Sequence, residues 1–383
     1  MTKGARKLRV LLLTDEMEVG GTQRQIVHIA RHLDRERFEP AVLFFRNPSF
    51  FVEELEQAGV RVIQVEKKGR IDPGFVWRLV STLRRERYDV VQCFAFSGEL
   101  WGAVARRLLP RARRPVLISS VRGVYEWYSG WHWRIKRWVS AQSERVVANS
   151  RMGSEYACAR MGLAAGTIRV TYNGVQAEDP APGRAAALRA EMRVPAGGML
   201  VLFVGRLVVH KDVPTLLKAV SILHARRPGL RVALAGDGPL RGELEAQIDA
   251  LALRTVVHAL GQRDDVPDLM AASDALVLPS LREGLSNVIL EGMMGGKPVV
   301  ASRAGGNIEL IEHDRSGLLF DVGDAQALAE VLERLTDDEA LRARLGEGAR
   351  RRAMGEFSIP SMVQAYEQHY VEAARSNARL VEQ

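Results

Sequence analysis

The stretch EGLSNVILE, Glu283 to Glu291, decides the reading of this chain. Just upstream, the apolar run Ala275–Leu278 is closed by Pro279. That order predicts a buried strand, a loop carrying Glu283 and Gly284, and a helix opening near Ser286. A helix N-terminus presents unpaired N–H groups and the positive end of a dipole, so it favours a phosphate. Gly284 lets the backbone approach that anion closely. Two carboxylates facing a diphosphate would repel it, so Glu283 and Glu291 are better suited to accept hydrogen bonds from sugar hydroxyls. On spacing alone, two surface glutamates flanking an ordinary helix remain equally open.

Outward from this stretch, strand-like and helix-like segments alternate along the whole chain, which predicts an α/β protein with doubly wound parallel sheets. Strands are expected at 8–14, 41–45, 60–65, 90–95, 116–120 and 145–148, with helices at 22–33, 51–58 and 75–87. Residues 177–198 are rich in Ala, Pro and Gly, and a second series begins after them, with strands at 199–204, 231–235, 256–259, 275–278, 298–301 and 317–320. Helices are expected at 325–336 and 338–354, with a last one from 360. The division expected is a first domain over 1–175, a second over 176–360, and a terminal piece over 361–383. Two doubly wound domains would form a cleft where strand C-termini meet, the edge at which such sheets bind ligands.

The 383 residues suffice for two ordinary domains, and 47% hydrophobic content fits a folded core. No run of 18 apolar residues occurs, and the apolar part of the N-terminus is too short for a signal-peptide core. Cys93 and Cys158 offer no disulfide framework, which fits a reducing cytoplasm. Residues 1–175 hold 30 Lys and Arg against 17 Asp and Glu, net +13, whereas the remainder holds 24 against 29, net −5. A basic first half suits an anionic partner, a membrane surface or a phosphorylated acceptor, or is simply a solvated arginine-rich surface. No helix-turn-helix, zinc-finger or RNA-recognition signature is present, so no nucleic-acid partner is expected.

Further motifs lie at strand ends. Gly20-Gly21 follows the first strand and is not part of a G-x-G-x-x-G fingerprint, so by itself it marks a tight turn. Gly205-Arg206-Leu207-Val208-Val209-His210-Lys211 follows the first strand of the second series. Arg206 offers a bidentate fork and Lys211 a mobile point charge, either for one diphosphate or as ordinary surface cations. The phrase AGDGP, 235–239, marks a turn, and Gly305-Gly306 precedes Glu309.

Together these phrases resemble the retaining glycosyltransferases of GT-B fold, family 4, whose E-x7-E signature matches Glu283 and Glu291. The resemblance covers nearly the whole chain. It implies a transferase that moves a sugar from a nucleoside-diphosphate donor to a hydroxyl of a glycan or polyprenyl-linked acceptor, in cell-surface polysaccharide or glycolipid synthesis. It implies Arg206, Lys211 and Glu283 as catalytic residues, with donor contacts from Gly20, Gly21, Gly205, Arg206, Lys211, Gly284, Leu285, Ser286 and Glu291. No cofactor or metal is expected, the two cations meeting the charge of the departing diphosphate. The family commonly carries a glycine after the lysine, where this chain has Asp212. Residues 261–274 match the region that cradles the nucleotide base, and 361–374 the helix that crosses back onto the first domain.

One departure concerns the acceptor side. The family often has a histidine after the fourth strand, where this chain reads Gln92-Cys93-Phe94. Phe94 at that position could stack on a sugar face, and Gln92 could supply the hydrogen bond. Farther on, Trp127, Trp131, Ile135 and Trp138 fall on one helical face with Arg134 and Arg137 at its edges. Such a stripe suits a membrane interface, or packs on the first domain's core, or breaks at Gly130. Arg122, Trp127 and Trp131 are acceptor-side candidates on either reading. The expected location is the cytoplasm, at the inner face of the cell membrane. Three other functions remain open: a nucleotide-sugar epimerase, a non-catalytic nucleotide-sugar-binding partner, and a basic membrane-binding module.

Overall fold

The computed structural model describes residues 6–69 and 72–381. The chain forms two compact units, one from the chain up to Gly174 together with Ile359 onward, the other from Val175 to Ser358.

The first unit holds a parallel sheet of seven strands: β1 (Leu8–Leu13), β2 (Phe38–Phe44), β3 (Arg61–Gln64), β4 (Val90–Cys93), β5 (Val116–Val121), β6 (Arg145–Ala148) and β7 (Arg169–Val170). Their order is β3-β2-β1-β4-β5-β6-β7. Successive side chains of a strand point to opposite faces, and both faces here are covered, so β1 is apolar apart from Arg9 near its start. Val10 and Leu12 pack with Ile26, Val27 and Ile29 of helix Gly21–His32 and with Tyr366 and Tyr370 of the terminal helix. Leu11 and Leu13 pack on the other side with Phe75, Leu79 and Leu83 of helix Pro73–Glu86. That helix has Asp72 as its cap, accepting from Phe75 N at 2.9 Å, and proline in its first turn. The terminal helix, Ile359–Val381, thus completes the core of the first unit, two residues earlier in the chain than the expected crossing.

The second unit holds six parallel strands: β8 (Leu200–Val204), β9 (Arg231–Ala235), β10 (Val257–Gly261), β11 (Ala275–Leu278), β12 (Val299–Ser302) and β13 (Leu318–Phe320), ordered β10-β9-β8-β11-β12-β13. The direction of winding reverses between β8 and β11, which leaves a crevice outside their carboxyl ends. The Ala- and Pro-rich stretch 177–198 is not all connection. It forms helix Arg184–Glu191, anchored by buried Leu188 and by Arg189, which reaches Asp274 Oδ2 at 2.8 Å. Its alanines are good helix formers, and the flanking Gly and Pro hid this in composition. The two-residue β7 was also beyond the sequence patterning. Among the described residues, no helix is long and apolar enough to cross a membrane.

Candidate active site

The loops after β8 and β11 are the two that flank the switch point of the second unit. The loop after β8 carries Gly205 and Arg206 and then a single 3-10 turn, Val209–Lys211. Asp212 follows with φ 47° and ψ 43°, a left-handed conformation in which glycine is unstrained. Aspartate tolerates it, and its side chain accepts from Thr215 Oγ1 at 2.7 Å. Asp212 therefore takes the backbone shape that a glycine after the lysine would take. It stands at the N-cap position of the helix Val213–His224.

The loop after β11 brings Glu283 onto the first loop. Lys211 Nζ donates to Glu283 Oε1 at 2.5 Å, and Ser280 Oγ donates to the same oxygen at 2.6 Å. The Lys211 and Glu283 side chains are 17% and 11% exposed, so this pair is mostly withdrawn from water yet still reaches a surface. Leu281 N donates to His210 O at 2.9 Å, a backbone link between the two loops. Burial, followed by the neighbouring Lys211 charge, pushes His210 below its ordinary pKa. Arg206 lies on the same loop, exposed to solvent.

Helix Asn287–Met294 starts just beyond, with Ser286 as its N-cap. Ser286 Oγ accepts from Ile289 N at 3.4 Å, a long contact that leaves the first turn's other donors directed out of the helix. Gly284 and Leu285 form the approach to that turn, and Glu291 stands one turn inside it, half-buried. The sequence thus placed strand, loop and helix start where they occur.

Both loops lie against glycine turns that admit no side chain. A Cβ on Gly236 would stand 1.9 Å from Gly205 O, and one on Gly238 would stand 2.4 Å from Leu207 O. A Cβ on Gly305 would stand 1.9 Å from Glu283 O, and one on Gly306 would stand 1.8 Å from Gly284 O. The AGDGP turn and the Gly305-Gly306 pair are therefore backing surfaces for the two loops. Ser280, fully buried, is a further member that sequence patterning missed, since a serine in a loop carries no periodic signal. Ser302 Oγ donates to Ser280 O at 2.5 Å and fixes it from β12. In 261–274, Gly261 O accepts from Gly236 N at 2.7 Å, and Arg263 pairs with Asp265.

On the first unit the candidates separate. Gly20 caps helix Gly21–His32 in an extended conformation, and both glycines lie after β1, next to that sheet's own switch point between β1 and β4. The acceptor-side expectation for Gln92 and Phe94 is corrected. Phe94 N donates to Leu13 O at 2.7 Å, so the strand runs on by one residue and Phe94 is buried in the core. Gln92 is equally buried, accepting from Tyr370 OH at 2.5 Å and donating to Ser120 Oγ at 3.3 Å. Neither side chain reaches a surface. Arg122 is committed internally too, to Asn173 Oδ1 at 2.7 Å and Tyr366 OH at 3.3 Å, with its guanidinium 5.8 Å from the Phe94 ring.

The tryptophan stripe is also redrawn. The helix is Gly130–Ser140, opened at Ser129, so Trp127 precedes it. Trp133, Lys136 and Val139 form its inward face. Trp127, Trp131 and Trp138 are 73%, 52% and 39% exposed, which overturns packing on the core as their role. Lys136 Nζ donates to both oxygens of Glu99 at 2.8 and 2.6 Å and to Ser120 O at 2.9 Å, a buried pair that holds this helix to β5.

The chain's similarities agree with this geometry. Residues 19–179 match Glycosyltransferase Family 4, and residues 186–352 match Glycosyl transferases group 1. The lipopolysaccharide core biosynthesis glycosyltransferase LpsD of Rhizobium meliloti (strain 1021) is 31% identical over 290 residues, 76% of this chain and 77% of that protein. The chain belongs to the family 4 glycosyltransferases. An Escherichia coli relative of this glycosyltransferase, UDP-Gal:alpha-D-GlcNAc-diphosphoundecaprenol alpha-1,3-galactosyltransferase, is 25% identical over 77% of this chain and 78% of its own. Among solved structures, Anabaena HepE in complex with UDP superposes with a TM-score of 0.84 at 28% identity, covering 95% of this chain and all of that one. The family 4 enzyme described here accordingly has the GT-B fold, two Rossmann-like units with parallel sheets of seven and six strands.

Proposed function

We propose that this glycosyltransferase takes a nucleoside-diphosphate sugar on its second unit and transfers the sugar with retention of configuration, without a metal. The observation that carries the reading is the meeting of Lys211 and Glu283 at the switch point, between the loop that carries Arg206 and the loop that leads into helix Asn287–Met294. Arg206 and Lys211 hold the diphosphate and offset the charge that develops on it as the glycosidic bond breaks. N–H groups around Gly284–Ser286 add to that stabilisation. Glu283 orients Lys211 and lies close to the transferred sugar, and Glu291 accepts from the ribose hydroxyls. In this reading the positive charge that meets the diphosphate comes from Arg206 and Lys211. Retention follows if the acceptor hydroxyl attacks on the side from which the diphosphate leaves, its proton passing to the departing phosphate oxygen.

UDP-sugars are the first donors to test, because HepE, 27% identical, has been solved with UDP-glucose. The acceptor, a glycan or lipid-linked saccharide, is taken on the first unit. Exposed Trp127, Trp131 and Trp138, with Arg134 and Arg137 between them, support peripheral contact with an anionic membrane. The deciding experiment supplies UDP-sugars and a lipid-linked oligosaccharide acceptor in the presence of EDTA, and reads the product anomer by NMR. An α-linked product from an α-donor at undiminished rate is expected. A β-product, or loss of turnover on chelation, would overturn the mechanism.

A further inference from the structure

The first unit carries a cavity at one edge of its sheet, apart from the donor site. The ends of β1, β2 and β3 lie side by side there. Phe45 N and Arg46 N both donate to Asp15 O, at 3.1 and 2.9 Å, and Lys67 N donates to Phe45 O at 3.2 Å. Three adjacent strand ends thus bring Asp15, Arg46 and Lys67 together. The start of helix Phe96–Leu108 closes the other side with Ser97, Leu100 and Trp101. Between them is a cavity of about 420 Å³, lined by Phe45, Arg46, Lys67, Ser97, Leu100 and Trp101 among others.

Its chemistry is divided in two. Trp101 is held edge-on by Phe75, their ring centroids 5.7 Å apart, and it offers an aromatic face. Lys67 Nζ donates to Gly69 O and stands 5.8 Å from that ring's centroid, one donor of its three being used in that bond. The Arg46 side chain is 49% exposed, and among the described residues its one carboxylate contact, to Asp15 Oδ2, is long at 3.5 Å. A guanidinium carries five donors, so most of its capacity is unspent there. Burial pushes the Asp15 carboxyl above its ordinary range, with Arg46 opposing. An aromatic plane beside an arginine and a lysine suits a sugar ring that bears a phosphate: the ring lies on Trp101 and the phosphate meets the two cations.

We propose that this cavity binds a phosphorylated saccharide, the phosphate held by Arg46 and Lys67, and that it makes the acceptor of this enzyme an anionic one. The proposal rests on the reading of the first unit as the acceptor side. The test titrates the purified full chain with glucose 6-phosphate, glucose, glucuronic acid and inorganic phosphate, by tryptophan fluorescence and calorimetry. The variants are Arg46→Ala, Lys67→Met and, for the donor site, Lys211→Ala. Saturable binding of glucose 6-phosphate is expected, weakened about tenfold or more by either first-unit variant and unchanged by Lys211→Ala. Stronger binding of the sugar phosphate than of glucose or glucuronic acid is expected as well. Three results would each overturn the proposal: no saturation at about 10 mM probe, equal affinity for glucose or glucuronic acid, or loss only in Lys211→Ala. UDP titrated into the same variants reads the donor site by itself, so failure of one reading is told from failure of the other. The two single variants, at a half-buried and an exposed position, provide independent tests if one of them misfolds.

Discussion

Lys211 Nζ lies 2.5 Å from Glu283 Oε1, and that oxygen also accepts from Ser280 Oγ at 2.6 Å. One carboxylate oxygen therefore takes two donors and fixes the ammonium against the backbone of Gly205. A Cβ at that glycine would stand 3.6 Å from Lys211 Cε. A diphosphate arriving at this loop meets a lysine whose direction is already set, which lowers the ordering cost of binding.

Glu283→Gln keeps an acceptor for Ser280 and removes the charge that holds Lys211. The turnover number should fall about tenfold or more, while nucleotide affinity is kept or improved because the ammonium is released to the phosphates. Lys211→Ala should likewise lower turnover more than donor affinity. Steady-state kinetics with nucleotide titration separate these outcomes from equal loss of both, which would indicate uniform binding.

Gly306→Ala places a methyl 1.8 Å from Gly284 O, and the clash can be relieved only by moving one loop. Overpacking of this kind costs about 1–3 kcal/mol, and the displaced element is the Glu283 loop. Donor affinity should fall by more than the melting temperature suggests. Normal nucleotide binding by a folded Gly306→Ala protein would remove the backing role assigned to the glycine pair.

Lys136 and Glu99 are 5% and 1% exposed and answer each other's charge inside the first unit. Burial raises the Glu99 pKa, with Lys136 the chief opposing influence. Lys136→Met strands that carboxyl and should cost about 3–5 kcal/mol in urea unfolding, whereas Lys136→Met with Glu99→Leu should cost less. The comparison is made by denaturation at pH 7, before any activity is measured.

His369 couples the terminal helix to pH. Arg145 NH1 donates to His369 Nδ1 at 2.9 Å, so that nitrogen carries no proton and Nε2 donates to Thr171 Oγ1 at 2.9 Å. Burial, then the Arg145 charge, lowers its pKa from 6.5 to about 4. Between those values the unfolded chain binds the extra proton, so this stability is whole above pH 6.5 and is lost as pH falls toward 4. His369→Gln should make the loss between pH 6.5 and 4 shallower by about 1–3 kcal/mol, read from urea midpoints. An unchanged slope would mean the imidazole titrates alike in both states.

Much of this was legible in the residues. The run Ala275–Leu278, the loop and the helix start at Ser286 were read from apolar patterning and capping chemistry, and the Gly205–Lys211 loop was read from its place after a strand. What the sequence could not show was depth. Gln92 and Phe94 sit where a surface was expected, but helices cover both faces of β4 and Phe94 extends its pairing with β1. Trp127 shares the periodicity of the helix that follows it, yet Ser129 opens that helix two residues later, with its N–H on His132 Nδ1 at 3.1 Å. Ser280, Gly236 and Gly306 matter because separate loops touch, a relation no local pattern carries.

The most direct test of the donor reading is a calorimetric titration of the purified chain with UDP, GDP and ADP, repeated on Glu291→Ala. Saturable binding of one nucleotide is expected, weakened by about 1–3 kcal/mol in the variant through loss of the ribose hydrogen bonds. Absence of binding to all three, or an affinity indifferent to Glu291, would contradict the assignment of the second unit as the nucleotide-sugar site.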